Sequence, residues 1–364
     1  FLSNIVLSIL LWVIIIFFKD SLAVVVGNPG LGNVIAIACV SIPIAAFSSI
    51  QMALYKRSFD FKTLFYTRIV GVLIPLLITI PLAFYLRNYW ALIIGTILVH
   101  TSNAIILTLR SKWKPNFYYS IKRLKKMFSF SSWVLLDSIL VWATSYIDIF
   151  IIGVVFNEYY LGIYKTSIIT VGQITAIITA TILPIILPAL SRLQNDKEKL
   201  KEMLLKLQKI TSVILMPLGF GIFMYSDLIT QILLGDKWLE ASDFIGIWGL
   251  MSAITIIFSR FTSVIYPAIG KPKMSVVAQF LHLIILIPVI IYAADFGFET
   301  LYWSRSLVRF ELIFVNLIIT YYLLKLSPLK MLKNITPEIL VSLFMAIVAL
   351  SLQNIHDSIL WSFI

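Results

Sequence analysis

The chain has 364 residues, 60% of them hydrophobic and 13% charged, with 29 Lys and Arg against 17 Asp and Glu for a formal net charge of +12. A mean hydropathy of +0.99, with solvated stretches no longer than about 20 residues, leaves no room for a separate soluble domain. Nucleic-acid binding is excluded as well, because the cations are spread over five short loops instead of being gathered on one solvated face.

Apolar runs of about 20 residues, enough to cross a bilayer, predict helices near 1–18, 31–54, 64–86, 90–110, 128–153, 161–190, 207–225, 239–268, 274–294, 298–325 and 337–353. A twelfth begins near 357. Alternate connections hold 21 Lys and Arg, in clusters beginning at Lys56, Arg110, Arg192, Lys271 and Lys325. The opposite connections hold only Lys19, Arg87 and Lys237, together with most of the acids: Asp20, Glu158, Asp227, Asp236, Glu240, Asp243, Asp295, Glu299 and Asp357. The positive-inside rule therefore places the loops after spans 2, 4, 6, 8 and 10 in the cytoplasm. The lone Cys39 lies inside an apolar span and argues against disulfides and cysteine metal sites.

An internal repeat is legible. Asp20 corresponds to Asp227, and Ile80-Pro81 with Tyr85 to Ile287-Pro288 with Tyr292, at an offset of 207, and Gly27 corresponds to Gly235 at 208. Subtracting that offset places the counterparts of the spans at 128 and 161 before residue 1. Two upstream helices are thus expected to be missing from a parent of two six-helix units in the same orientation plus two trailing helices. A start without Met in apolar sequence, and an end at Trp361-Ser362-Phe363-Ile364, fit that expectation.

Charges left within the spans are the default functional candidates, since each costs about 2.5–3.5 kcal/mol at a helix centre. Arg305 and Arg309 are four apart and predict a cationic stripe on one helix face; the alternative is a structural pair in which one of them neutralises Asp148 or Glu311. Arg260 and Arg68 lie near inner ends, where Arg also snorkels. Asp148 and Lys165 stand at similar depth on helices joined by a short loop and could pair, or Asp148 could bind a coupling ion. Asp137 is the deeper carboxylate, suited to titration if burial raises its pKa. His100 and His282 read first as hydrogen-bonded core residues. Pro43, Pro75, Pro81, Pro184, Pro188, Pro217, Pro267 and Pro288 are expected to bend their helices. Asn334-Ile335-Thr336 matches a glycosylation acceptor but falls on the cytoplasmic side of this topology. No Walker-type loop, His-Glu-x-x-His motif or paired aspartates of a metal-dependent glycosyltransferase are present in the sequence, so no cofactor, metal or catalytic residue is assigned.

Several stretches carry a family resemblance: Lys56-Arg57-Ser58-Phe59-Asp60-Phe61-Lys62, Ser111-Lys112-Trp113-Lys114-Pro115, Leu161-Gly162-Ile163-Tyr164, Leu183-Pro184, Pro188 to Asp196, and, most specific, Leu233-Leu234-Gly235-Asp236-Lys237-Trp238-Leu239. Over nearly its whole length the chain resembles the Wzx-like polysaccharide flippases of the multidrug/oligosaccharidyl-lipid/polysaccharide exporter superfamily, which also includes MATE antiporters and the lipid II flippase. On that pattern it looks like the third to fourteenth helices.

The resemblance implies an all-α polytopic membrane protein with two six-helix lobes around a central cavity. Residues 1–127 would be the N-terminal lobe, 128–325 the C-terminal lobe and 326–364 two accessory helices, the last incomplete. It also implies a non-enzymatic activity, the movement of undecaprenyl-pyrophosphate-linked oligosaccharide from the cytoplasmic to the outer leaflet of a prokaryotic plasma membrane by ion-coupled alternating access. Arg305, Arg309, Arg260 and Lys165 are the cations on offer for the pyrophosphate or acidic sugars, and Asp137, Asp148 and Glu311 the candidates for ion coupling. The expected partners are the lipid-linked oligosaccharide, membrane lipids, and a polysaccharide polymerase with chain-length machinery. Rival readings are a MATE-type drug or cation antiporter, a membrane-embedded polymerase, ligase or glycosyltransferase acting on the same carrier, and an assembly subunit without transport.

Overall fold

The computed structural model describes residues 1–25, 28–113 and 120–353. Gly27, Lys114, Pro115, Asp357 and the start of the twelfth predicted span lie outside them. The chain divides into two compact units, Phe1–Lys122 and Arg123–Ile364.

The first unit holds α1 (Leu2–Phe17), α2 (Lys19–Val25), α3 (Gly32–Ala38), α4 (Ser41–Ser58), α5 (Phe61–Ile74), α6 (Ile80–Leu86) and α7 (Trp90–Arg110). Asp60 caps α5, its carboxylate accepting the Thr63 N–H at 3.1 Å. Between α5 and α6 the chain makes one π-helical turn, Pro75–Thr79, where Pro75 supplies no N–H to the preceding turn. Gly95 on α7 lies against Thr79 so closely that a Cβ would fall 2.1 Å from its hydroxyl. A side chain there would push α7 off the π-turn.

The second unit holds α8 (Ile121–Val155), α9 (Glu158–Arg192), α10 (Lys197–Met224), α11 (Ser226–Leu234), α12 (Ser242–Thr255), the short α13 (Phe261–Ser263) and α14 (Ile265–Ala268), α15 (Lys273–Ala294), α16 (Phe298–Leu307), α17 (Arg309–Leu324) and α18 (Pro328–Gln353). A 3₁₀ turn at Asp236–Ala241 leads into α12, and a π-helical turn at Ile256–Arg260 leaves it. Gly235 stops α11 at φ +88°, a conformation that suits glycine, which accounts for its place in the Leu-Leu-Gly-Asp-Lys-Trp-Leu motif. The Trp238 of that motif packs against the unit's core.

Among the described residues ten helices are long and apolar enough to cross a membrane, so the chain is an all-α, multi-pass membrane protein. The first predicted span comes out shorter than expected, because α1 has 16 residues and gives way directly to α2. Other helices run past the apolar windows. α8 has 35 residues, a length of about 52 Å against a hydrocarbon core of about 30 Å, and its first turns carry the Lys- and Arg-rich segment. Pro184, Pro188, Pro217 and Pro288 lie inside helices that continue through them. Ser and Thr hydroxyls return to carbonyls one turn back, as Thr67 does to Thr63 at 2.9 Å and Thr175 to Val171 at 2.9 Å, an arrangement that satisfies polar groups within the helix itself.

The repeat offset recurs in helix boundaries. α11 begins at Ser226, 207 positions after Lys19 opens α2, and α16 begins at Phe298, 208 positions after Trp90 opens α7. In the second unit α12 is the innermost element: 72% of the apolar window of the Asp236–Ala268 span is buried. It packs most extensively on α10, where Gly249 lets Ile222 approach. Polar or charged residues on elements facing α12 are thereby held away from lipid.

Candidate functional site

Six helices of the second unit, α8, α9, α12, α15, α16 and α17, contribute the charged and aromatic side chains of the site, and α9, α16 and α17 pack directly on α12. On α8, Thr144 and Asp148 are one turn apart and share a face. Arg305, near the end of α16, donates from Nε to Asp148 Oδ2 at 2.6 Å and from Nη2 to the Thr144 carbonyl at 3.1 Å. The Tyr164 hydroxyl of α9 donates to the same Asp148 oxygen at 2.7 Å, and the other oxygen accepts the Ile149 N–H at 2.8 Å. Arg305 is 4% exposed and Asp148 0%. A buried ion pair is sustained only when further hydrogen bonds replace water around both charges, and Tyr164 and Thr144 do so here.

A single residue with helical dihedrals, Val308 at φ −58° and ψ −19°, joins α16 to α17, and the two run as one span, Phe298–Leu324. Arg309, one turn beyond Arg305, has different neighbours. Its Nη1 donates to the Ser252 hydroxyl at 2.7 Å, and its guanidinium carbon lies 3.4 Å from the centre of the Trp248 ring. Arg305 lies 5.1 Å from the same ring. Trp248 belongs to an aromatic group in which Phe244 contacts Trp248 at 5.6 Å, Tyr164 at 5.0 Å and Tyr302 at 5.2 Å. A desolvated cation on Trp gains about 2 kcal/mol, which partly offsets burial. Arg309 has no ion pair among the described residues, whereas Arg305 is fully engaged.

Glu311, on the same helix as Arg309, lies 2.7 Å from His282 Nδ1 on α15. The His282 side chain is 1% exposed and that of Glu311 17%. The second Glu311 oxygen is buried without a hydrogen-bond partner.

Of the two arginines of the predicted stripe, Arg305 forms the structural pair with Asp148 that was the alternative reading, Arg309 does not, and both lie against Trp248. The suggested Asp148–Lys165 pair does not form: Tyr164 faces inward, while Lys165, one residue on, lies on the exposed face of α9. Arg260 is exposed at the end of its π-turn, and Arg68 is exposed on α5. Asp137 is half-buried, with one carboxylate oxygen buried and unpartnered. Trp248, Ser252, Tyr164 and the His282 partnership with Glu311 were not read from the sequence. The one available signal was the four-residue spacing of Trp248 and Ser252, which puts an aromatic ring and a hydroxyl on one face of α12.

The sequence model of a family described as "Polysaccharide biosynthesis protein" matches residues 1–243. The chain is 25% identical over 293 residues to an uncharacterized membrane protein in the cps region of Klebsiella pneumoniae, covering 80% of this chain and 60% of that protein. It is 22% identical over 245 residues to the lipopolysaccharide biosynthesis protein WzxC of Escherichia coli K12, covering 65% and 48%. It is also 22% identical over 365 residues to the teichuronic acid biosynthesis protein TuaB of Bacillus subtilis, covering 98% and 74%. The chain spans 60% and 48% of the length of the first two of these relatives. Among solved structures, MATE in the bent conformation aligns with a TM-score of 0.74 at 12% identity, covering 89% of this chain and 76% of that one. The lipid II flippase MurJ, inward closed, aligns at 0.62 with 18% identity, covering 94% and 74%. At these identities the likeness is one of fold.

Proposed function

Because the chain belongs to the polysaccharide biosynthesis protein family whose model matches residues 1–243, we propose that it moves a lipid-linked oligosaccharide, carried on a polyprenyl pyrophosphate, from the inner to the outer leaflet of a prokaryotic plasma membrane. The observation that carries this reading at the level of residues is Arg309. It is a cation set among buried aromatic rings, held by a neutral hydroxyl and left without a carboxylate partner among the described residues. A planar guanidinium offers paired N–H donors to phosphate oxygens, and stacking on Trp248 presents that fork without neutralising it.

Arg305 then has a positioning role. Its charge is spent on Asp148, and the pair fixes α16 against α8, which sets the helix face from which Arg309, one turn further on, meets Trp248. Arg260 and Lys165, exposed and without an acidic partner among the described residues, serve as flanking contacts for acidic sugars or phosphate. Of the carboxylates, Asp148 is locked and Glu311 is engaged by His282. Asp137, with its unpartnered oxygen, is the better site for a coupling ion, and Lys-rich loops would face the cytoplasm. A polysaccharide polymerase and chain-length machinery would act on the delivered repeat units.

The test is reconstitution of the purified chain in vesicles with a pyrophosphate-linked glycolipid labelled in one leaflet. Leaflet exchange above protein-free vesicles, and weaker exchange for the same glycan on a neutral lipid, is the expected result. Equal exchange of both lipids, or none, contradicts the reading.

A further inference from the structure

We propose that His282 and Glu311 form a proton-binding dyad that makes anion binding at Arg309 proton-linked, a site that rests on Arg309 serving the anion as proposed above. The dyad joins α15 to α17, and the 2.7 Å separation of His282 Nδ1 and Glu311 Oε2 requires one hydrogen between them. In that state the pair carries one negative charge. A second proton, taken from solution onto Glu311 Oε1 or His282 Nε2, brings it to zero, and Oε1 is the buried atom without a partner. The Glu311 side chain is 17% exposed and that of His282 1%, so the dyad meets its surroundings through Glu311.

The charges around the dyad decide what that proton does. Arg309 stands two positions before Glu311 on α17, α15 packs on both α16 and α17, and Arg260 lies on the π-turn packed against α17. Asp148, which also accepts from the Tyr164 hydroxyl, pairs with Arg305 and balances its charge. α18, which also packs on α17, carries Glu338 with one buried oxygen, and α12 presents Ser252 and Trp248. With the dyad singly protonated, Arg305 balances Asp148 and the dyad's single negative charge offsets Arg309 on the same helix, so these groups together sum to zero. With the dyad doubly protonated it carries one positive charge, centred on Arg309, for an incoming phosphate. Linkage is reciprocal: a proton strengthens anion binding and an anion draws in a proton. The sign makes the proton a companion of the anion, so a counter-moving ion would bind elsewhere, as at Asp137.

The experiment is calorimetry of inorganic pyrophosphate binding to the detergent-purified full chain in buffers of different ionisation enthalpy, for wild type, E311Q, H282Q and R309Q, with thermal melting to verify folding. Wild type should take up close to one more proton per anion than E311Q, which mimics the protonated carboxyl and removes the pyrophosphate's own proton change from the comparison. On acidification, affinity in wild type should rise about 5- to 150-fold relative to E311Q, the usual span of coupling between two sites. H282Q should bind with a smaller proton uptake than wild type. Binding by wild type with the same proton uptake as E311Q overturns the dyad and leaves the anion site standing. Absence of binding, or binding undiminished in folded R309Q, overturns the anion site and the dyad with it.

Discussion

Arg305 and Asp148 are 157 positions apart in the chain and 2.6 Å apart in the fold, with both side chains sealed from solvent. Removing one partner strands the other in a low-dielectric interior at a cost of about 3–5 kcal/mol. D148A and R305A should each lower the melting temperature of the purified protein sharply, D148A also orphaning the Tyr164 hydroxyl. The double variant D148L/R305M, which removes both charges and refills the volume, should recover most of the loss. Additive destabilisation in the double variant would mean that the two residues are not coupled.

Glycines on α10 and α12 separate packing from helix propensity. A Cβ at Gly249 would fall 2.3 Å from Ile222 Cγ2, whereas a Cβ at Gly221 meets nothing within 4 Å. G249A should destabilise by about 1–3 kcal/mol through overpacking. G221A should be neutral or gain up to about 1 kcal/mol from the lower entropy of the unfolded chain. Thermal melts of the two variants side by side check both.

The Asp196 carboxylate caps α10, accepting the Lys199 N–H at 3.1 Å and lying 3.1 Å from its ammonium. The backbone N–H first, and then the Lys199 side chain, hold its pKa below the ordinary value. A depressed folded pKa means that the stabilisation is present in full above the unfolded-state value, about 3.9, and is lost as pH falls through the lower folded one. D196A should therefore be less stable than wild type at pH 7, and the gap should close on acidification below about pH 4. D196N, still a good cap, should keep much of the stability and lose the pH response, measured as melting temperature against pH.

The uneven distribution of Lys and Arg between alternate loops predicts sidedness. In a C39S background, Lys199→Cys should react with an impermeant thiol reagent only after the membrane is opened from the cytoplasmic side, and Lys237→Cys should react in intact cells. The reverse pattern would invert the assigned orientation.

Spans were legible because a run of apolar residues reports depth in a bilayer. The predicted 90–110 coincides with Trp90–Arg110, and 274–294 nearly coincides with Lys273–Ala294. Azimuth was not legible. α9 is apolar around its circumference, so nothing in the sequence says that Tyr164 turns inward and Lys165 outward, and the nearer, equally deep Lys165 was as plausible a partner for Asp148 as the distant Arg305. The π-turn at Ile256–Arg260 carries no glycine or proline of its own. A periodicity reading holds no signal for it. The same holds for His282 and Glu311, 29 positions apart on different helices.

The most direct measurement is leaflet exchange of a pyrophosphate-linked glycolipid by reconstituted wild type, R309K and R309Q at matched, verified folding. Loss of a charge-assisted contact of about 1.5–3 kcal/mol should slow R309Q by roughly 10- to 100-fold, with R309K intermediate because it keeps the charge without the paired donors. Exchange by R309Q at the wild-type rate would contradict the assignment of the anion to this residue.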